Sequence, residues 1–243
     1  MPAGFQVFND SNTVQVDQDY LCLQFVAKGS QTLTTRMTAA GIMDPGVASS
    51  VQSQTGNAWV NPLGTGAPSF AGDGLVAFRA RGGGRVGVGY TNTGLPVFIG
   101  DSPTAGPIVD WWQFGRAAVR SSGAGLEVYD ASGNLVFSDA QRPMKLEAVA
   151  NDVNIISAPS LTGPNGDWAI CTGATWPSVF SFISQGGEWH YVEGIPMWEA
   201  PSNTGFGPPL MRNAFARKNS QIPNGLDYSQ AKATMLLVDV AGL

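Results

Sequence analysis

The chain has 243 residues, 43% of them apolar, with 31 Gly and 16 Pro. That is ample material for a packed core and excludes intrinsic disorder as a general description. Charged residues make up 13% of the chain, and the 13 basic against 18 acidic side chains leave a net charge of −5 with no basic tract. This excludes a nucleic-acid binder, which must neutralise phosphates with clustered Lys and Arg.

The opening, Met1 to Gln6, has neither the positive nor the apolar region of a signal peptide. No apolar run approaches the ~20 residues of a membrane helix. A soluble chain made in a cytoplasm, with no membrane span, is therefore expected.

Period-2 alternation then recurs along the chain. Leu21, Leu23 and Phe25 share one face, with Cys22, Gln24 and Val26 on the other. Residues 42–74 are rich in Ser, Gly, Pro and Gln and read as a flexible connection. Phe78 and Ala80 alternate with Arg79 and Arg81, giving a strand with one wet face. Val86, Val88 and Tyr90 follow with the same period. Trp111 and Trp112 fall on opposite faces of one strand, so at least one should meet a second layer or a partner. Phe180 and Phe182, then Trp189 and Tyr191, continue the pattern, and Met235 to Val240 reads as a buried closing strand.

Turn signals such as Asp44-Pro45-Gly46, Ser132-Gly133-Asn134 and Pro223-Asn224-Gly225 separate these runs. Only two segments have helix character, Leu210 to Lys218 and, more weakly, Met144 to Ala150. The predicted fold is all-β: an antiparallel β-sandwich, or two β subdomains with hairpin connections, with very little helix. The loop-like stretch Ser102 to Pro107 suggests a division into residues 1–105 and 106–243, unless the domain is continuous.

One internal echo stands out. Gly4 to Asp17 aligns without gaps on Gly125 to Ser138, each reading as strand, polar turn, strand. Two origins stay open: convergence of two hairpins on the same turn chemistry, or a duplication.

Sites of chemistry are scarce. Gly82 to Gly87 matches G-x-G-x-x-G, but the strand-like Val88-Gly89-Tyr90 follows where a dinucleotide fingerprint must open a helix. A hairpin tip is the better reading. His190 is the only histidine, and no G-x-S-x-G nucleophile turn accompanies it, so it reads as a packed or surface imidazole. Asp10, Asn12, Asp17 and Asp19 lack EF-hand spacing and read as turn caps, not a calcium site. Cys22 and Cys171 lie in apolar settings without metal-like spacing, and two buried free thiols are expected rather than a disulfide. Metal and cofactor are expected to be absent.

Glu188, Glu193 and Glu199 lie near aromatic residues, as a sugar-cleaving cleft would need, but any acidic β protein can show such a cluster. The aromatic bias itself is more informative. Trp168, Trp176, Trp189 and Trp198 crowd one stretch, which forms either a well-filled core or a contact surface. The candidate binding or interface residues are Trp111, Trp112, Trp176, Trp189, Tyr191 and Trp198. A charge-poor surface suits a protein packed against neighbours in a fixed assembly, where desolvating charges is costly.

Several segments resemble the tail-associated virion proteins of long-tailed bacteriophages. They are Gly4 to Asn9 with Val14 to Asp17 and Tyr20, the block Val109 to Phe114, Gly125 to Asp130 with Leu135 to Phe137, and the ending Met235 to Val240. The resemblance implies a β-rich, non-enzymatic component of the tail tip, baseplate or fibres in the virion. It also implies several copies, packed against other tail proteins as a homo-oligomer or co-complex. It implies no catalytic residues. A receptor- or carbohydrate-binding module that touches a host surface receptor or glycan is the alternative, and a polysaccharide depolymerase a weaker one.

Overall fold

The computed structural model describes residues 6–8, 14–17, 23–36, 58–60, 74–90, 96–102, 105–115, 126–129, 132–133, 135–138, 142–154, 159–163, 166–173, 179–185, 188–202, 205–208, 210–219 and 232–243. All of their regular structure is strand. In chain order the strands are β1 (Gln6–Phe8), β2 (Val14–Asp17), β3 (Gln24–Thr32), β4 (Thr35–Arg36), β5 (Ala58–Val60), β6 (Leu75–Arg81), β7 (Arg85–Tyr90), β8 (Pro96–Asp101) and β9 (Ile108–Gly115). They continue with β10 (Glu127–Tyr129), β11 (Leu135–Ser138), β12 (Lys145–Asn154), β13 (Leu161–Thr162), β14 (Trp168–Gly173) and β15 (Val179–Gln185). The last four are β16 (Glu188–Met197), β17 (Gly205–Phe206), β18 (Leu210–Asn219) and β19 (Lys232–Asp239).

The expected all-β class holds, but both segments with helix character are strands. Leu210 to Lys218 lies in β18, which pairs with β16 from Met197↔Leu210 to Trp189↔Asn219. Met144 to Ala150 runs into β12, which pairs with β19. Helix propensity is a weak prior, and a ladder of cross-strand bonds along a ten-residue segment outweighs it.

The centre of the molecule is a six-stranded antiparallel sheet in the order β12-β19-β14-β6-β9-β3. It draws strands from both sides of residue 105, and the boundary expected there falls between β8 and β9. Its two edges meet. The Phe25 N–H donates to the Arg142 carbonyl and the Met144 N–H to the Leu23 carbonyl, each at 2.8 Å, around a bridge between Gln24 and Pro143.

The register starts at Phe25 and crosses to Phe114 and Leu75. Extending the Phe78–Ile170 pairing carries it to Gly173, and from there it passes to Thr234, whose hydroxyl bonds Asn151. Asn151 stands nine residues along the chain from Arg142, the kind of stagger that tilts strands in a closed barrel. The sheet is thus a six-stranded barrel, joined along one seam by a short bridge.

Alternation sorts the side chains. Phe25, Ala77, Trp112, Phe114, Ala169, Cys171, Leu236 and Val238 pack together inside, with Leu23, Met144 and Leu243 against them. Val76, Phe78, Val109, Trp111, Trp168, Ile170, Met235 and Leu237 face outward into a second core. The four-stranded sheet β4-β5-β8-β7 covers this core with Val86 and Phe98, and β13-β17 adds Leu161 and Phe206. The layers fit because Gly29 leaves room: a Cβ there would stand 2.5 Å from the Trp111 ring.

The sequence echo extends into the backbone. Hairpins β1-β2 and β10-β11 share one register, Gln6↔Asp17 matching Glu127↔Ser138, with the bulge at the same place, after Val7 and after Val128. The next strands correspond as well. β3 against β9 is bulged between Phe25 and Ala27, and β12 against β19 between the equivalent Leu146 and Ala148. β6 and β14 then pair antiparallel with β9 and β19 in turn, and with each other at the centre. The barrel therefore consists of two like halves, β3-β9-β6 and β12-β19-β14, related by a pseudo-twofold axis across the barrel.

Candidate functional site at one barrel mouth

An axis across the barrel gives it two equivalent mouths. At one of them the inward positions of β3, β6 and β9 carry charge where the barrel centre carries apolar side chains. Here a cavity of about 430 Å³ opens, lined by Lys28, Ser30, Arg79, Arg81, Asp110 and Trp112 together with Asp167 and the end of the chain.

Asp110 anchors the site. Its carboxylate is nearly buried and accepts two bonds from Arg81, from Nε at 3.0 Å and Nη2 at 2.5 Å. Arg79 approaches the same carboxylate at 3.6 Å, also ion-pairs with Asp167, and lies over the Trp112 ring with its guanidinium carbon 5.0 Å from the centroid. This arrangement follows from the register. Arg79 stands directly opposite Asp110, and Trp112 follows two residues on, on the same face. A forked guanidinium meets a carboxylate bidentately and stacks on an indole, which a lysine could not reproduce.

The rim is closed by residues 240–243. The Val240 N–H donates to the Asp167 carbonyl at 2.8 Å. Lys28 donates to a main-chain oxygen of Leu243 and Arg142 to the Gly242 carbonyl. Beside the strap, the Asp239 carboxylate accepts from Lys145 at 2.7 Å and from the Ala241 N–H at 2.9 Å. Burial pushes that carboxyl up, but these donors outweigh it and hold it below its ordinary value. Inside the barrel, burial raises the Cys171 thiol to about 12, so this free cysteine stays protonated.

The candidate residues of the sequence are dispersed. Trp111 and Trp112 do fall on opposite faces of β9, and both are buried, one in each core. Trp198 is 3% exposed and packs edge-on against Phe78, while its backbone pairs with Val86. These three tryptophans fill cores. Trp189 and Tyr191 lie on β16, of which the backbone is described, opposite Ser184 and Phe182 of β15. Trp176, Cys22, Asp10, Asn12 and Asp19 lie outside the described residues.

Of the three glutamates, Glu188 and Glu193 lie on β16, opposite Gln185 and Phe180 of β15. Glu199 pairs with Arg85. His190 stands opposite Ile183 and Lys218. Gly82 to Gly84 form the β6–β7 hairpin tip, with Gly82 at φ 78° and Gly84 at φ 130°. Among the described residues no three His, Cys, Asp or Glu side chains gather as a metal site. No described helix is long and apolar enough to cross a membrane.

Sequence reading missed the mouth cluster. Arg79 and Arg81 read as a wet strand face, whereas they face the barrel interior at its rim. The available signal was an aspartate directly before two tryptophans in an otherwise apolar strand. No protein-family model matches this chain, and neither a curated protein nor a solved structure matches it.

Proposed function

We propose that this chain is a non-enzymatic structural component of a bacteriophage tail, at the tail tip, baseplate or fibres, assembling with other virion proteins. One observation carries the reading. Two of the segments that resemble tail proteins, Gly4 to Asn9 with Val14 to Asp17 and Gly125 to Asp130 with Leu135 to Phe137, hold hairpins of identical register and bulge. They precede equivalent strands of one barrel, so the resembling motif recurs as a repeated structural unit. The low charge, 13% of residues, supports it, because few ions need be desolvated when neighbours pack against the surface.

The test is co-expression with the products of the adjacent reading frames, followed by size-exclusion chromatography with light scattering. The expected result is a stable homo-oligomer or co-complex. A chain that stays monomeric at micromolar concentration and captures none of those products overturns the proposal. A host-binding role is the second reading, and the charged mouth favours it, since a cavity with fixed ionic groups suits recognition of a small polar ligand.

A further inference from the structure

The geometry points to the open edge of β12 as a surface for self-association. Its partner is the same edge of a second copy of this chain, the two strands running antiparallel about Val149. The inference stands apart from the tail reading, because it concerns what the isolated chain does in solution.

The seam covers β12 only where Arg142 and Met144 meet β3. Beyond it, from Lys145 to Asn154, β12 pairs with β19 alone among the described strands. The direction of its backbone groups follows from β19. The Val240 N–H turns to Asp167, just before β14. By alternation Val238 and Leu236 turn the same way, while Asp239, Leu237 and Met235 turn toward β12. Leu146 and Val149, opposite Val238 and Leu236, therefore point their N–H and C=O groups to the free edge. They continue the row that Met144 begins with its bond to Leu23.

The same two residues are bare. Leu146 is 49% and Val149 55% exposed, two of the five large hydrophobic side chains exposed among the described residues. An open strand edge is normally guarded by a charge. β3 has one, because Lys28, opposite Trp112, occupies the place that Val149 takes opposite Leu236. The nearest charge on β12, Lys145, is held by Asp239 and Glu147, each at 2.7 Å.

An unpaired apolar strand edge fits another extended strand. A second copy of β12 pairs apolar with apolar. Val149 meets Val149 of the second copy and exchanges two backbone bonds with it. Leu146, two rungs away, lies diagonal to the same residue. The β3 edge of another copy would instead set Lys28 against this patch. A twofold contact also closes on itself and stops at a dimer.

The test is sedimentation of the full-length chain over about 1–500 μM, a range that covers weak interfaces. A concentration-dependent dimer is expected. Val149→Lys, which places like charges face to face, should weaken it by about tenfold, and Val26→Lys, on β3, should leave it unchanged. In a Cys22→Ser background, Val149→Cys should oxidise to a disulfide-linked dimer, since paired Cα atoms about 5.5 Å apart suit the bond. Val26→Cys should stay monomeric. A chain monomeric throughout the range, with no cross-link through Val149→Cys, overturns the inference. So does self-association that Val149→Lys, shown folded by its melting temperature, leaves intact, or equal cross-linking through Val26→Cys. A co-complex with other tail proteins formed by a chain that does not self-associate also overturns it, while the tail reading stands.

Discussion

Gln24 sits at the seam of the barrel, paired with Gly115 on one side and bridged to Pro143 on the other. Its side chain is 2% exposed, and neither its amide nitrogen nor its oxygen has a hydrogen-bond partner. A buried unpaired amide costs about 1–3 kcal/mol. Gln24→Met, of similar volume, should raise the urea unfolding free energy by about 1 kcal/mol. Cys171, pushed up to about 12 by burial, should be inert. In a Cys22→Ser background, a disulfide reagent at pH 8 should leave the native thiol untouched and titrate it fully in urea. Asp239 gives a pH signature. Its carboxyl is held below its ordinary value, so its contribution is fully present above pH ~4 and is lost as pH falls through the lower folded value. The melting temperature of Asp239→Asn should therefore fall less than that of the parent chain on going from pH 5 to pH 2.

At the scale of elements, legibility followed periodicity. β6, β9 and β19 are buried on both faces and carry nearly unbroken apolar runs, so they could be placed from sequence, whereas β3 has one exposed face and only its first residues fall in the run read as a strand. β12 and β18 could not. Met144 to Ala150 and Leu210 to Lys218 carry Lys, Glu, Ala, Leu and Arg, which favour a helix locally, and only pairing with β19 and β16 decides otherwise. Pairing between distant strands leaves no local trace, so the barrel seam and the meeting of Arg79 with Asp110 were equally invisible.

Connections show the same contrast. A Cβ on Gly106 would lie 1.5 Å from the Leu33 carbonyl oxygen, whereas one on Gly83, at the β6–β7 tip, meets nothing within 4 Å. Gly106→Ala should cost more than about 3 kcal/mol and Gly83→Ala less than about 0.5 kcal/mol, read from chemical denaturation. The short Leu33–Pro107 contact, with its 3.0 Å backbone bond, is where the chain entering β9 is pinned to the end of β3.

At the scale of the molecule, the echo in the sequence touched only a hairpin, yet the backbone equivalence reaches the edge, middle and central strands of each half. Side chains diverged while the first bulge and the register around it did not; a second shift, between Ala150 and Val153, is found in β12 alone. Two like halves close one barrel, each covering the edge the other would leave open. On the proposed reading, the outer layers and the two hairpins are the surfaces offered to neighbours.

That design suits a building block, and its place can be read directly. Particles released from cells that carry the reading frame can be purified by density gradient and digested for quantitative mass spectrometry. The expected result is this chain in the intact particles, in a fixed ratio to the other tail proteins and retained after a high-salt wash. Its absence from the washed particles, with the protein recovered only in the free soluble fraction, would contradict the account.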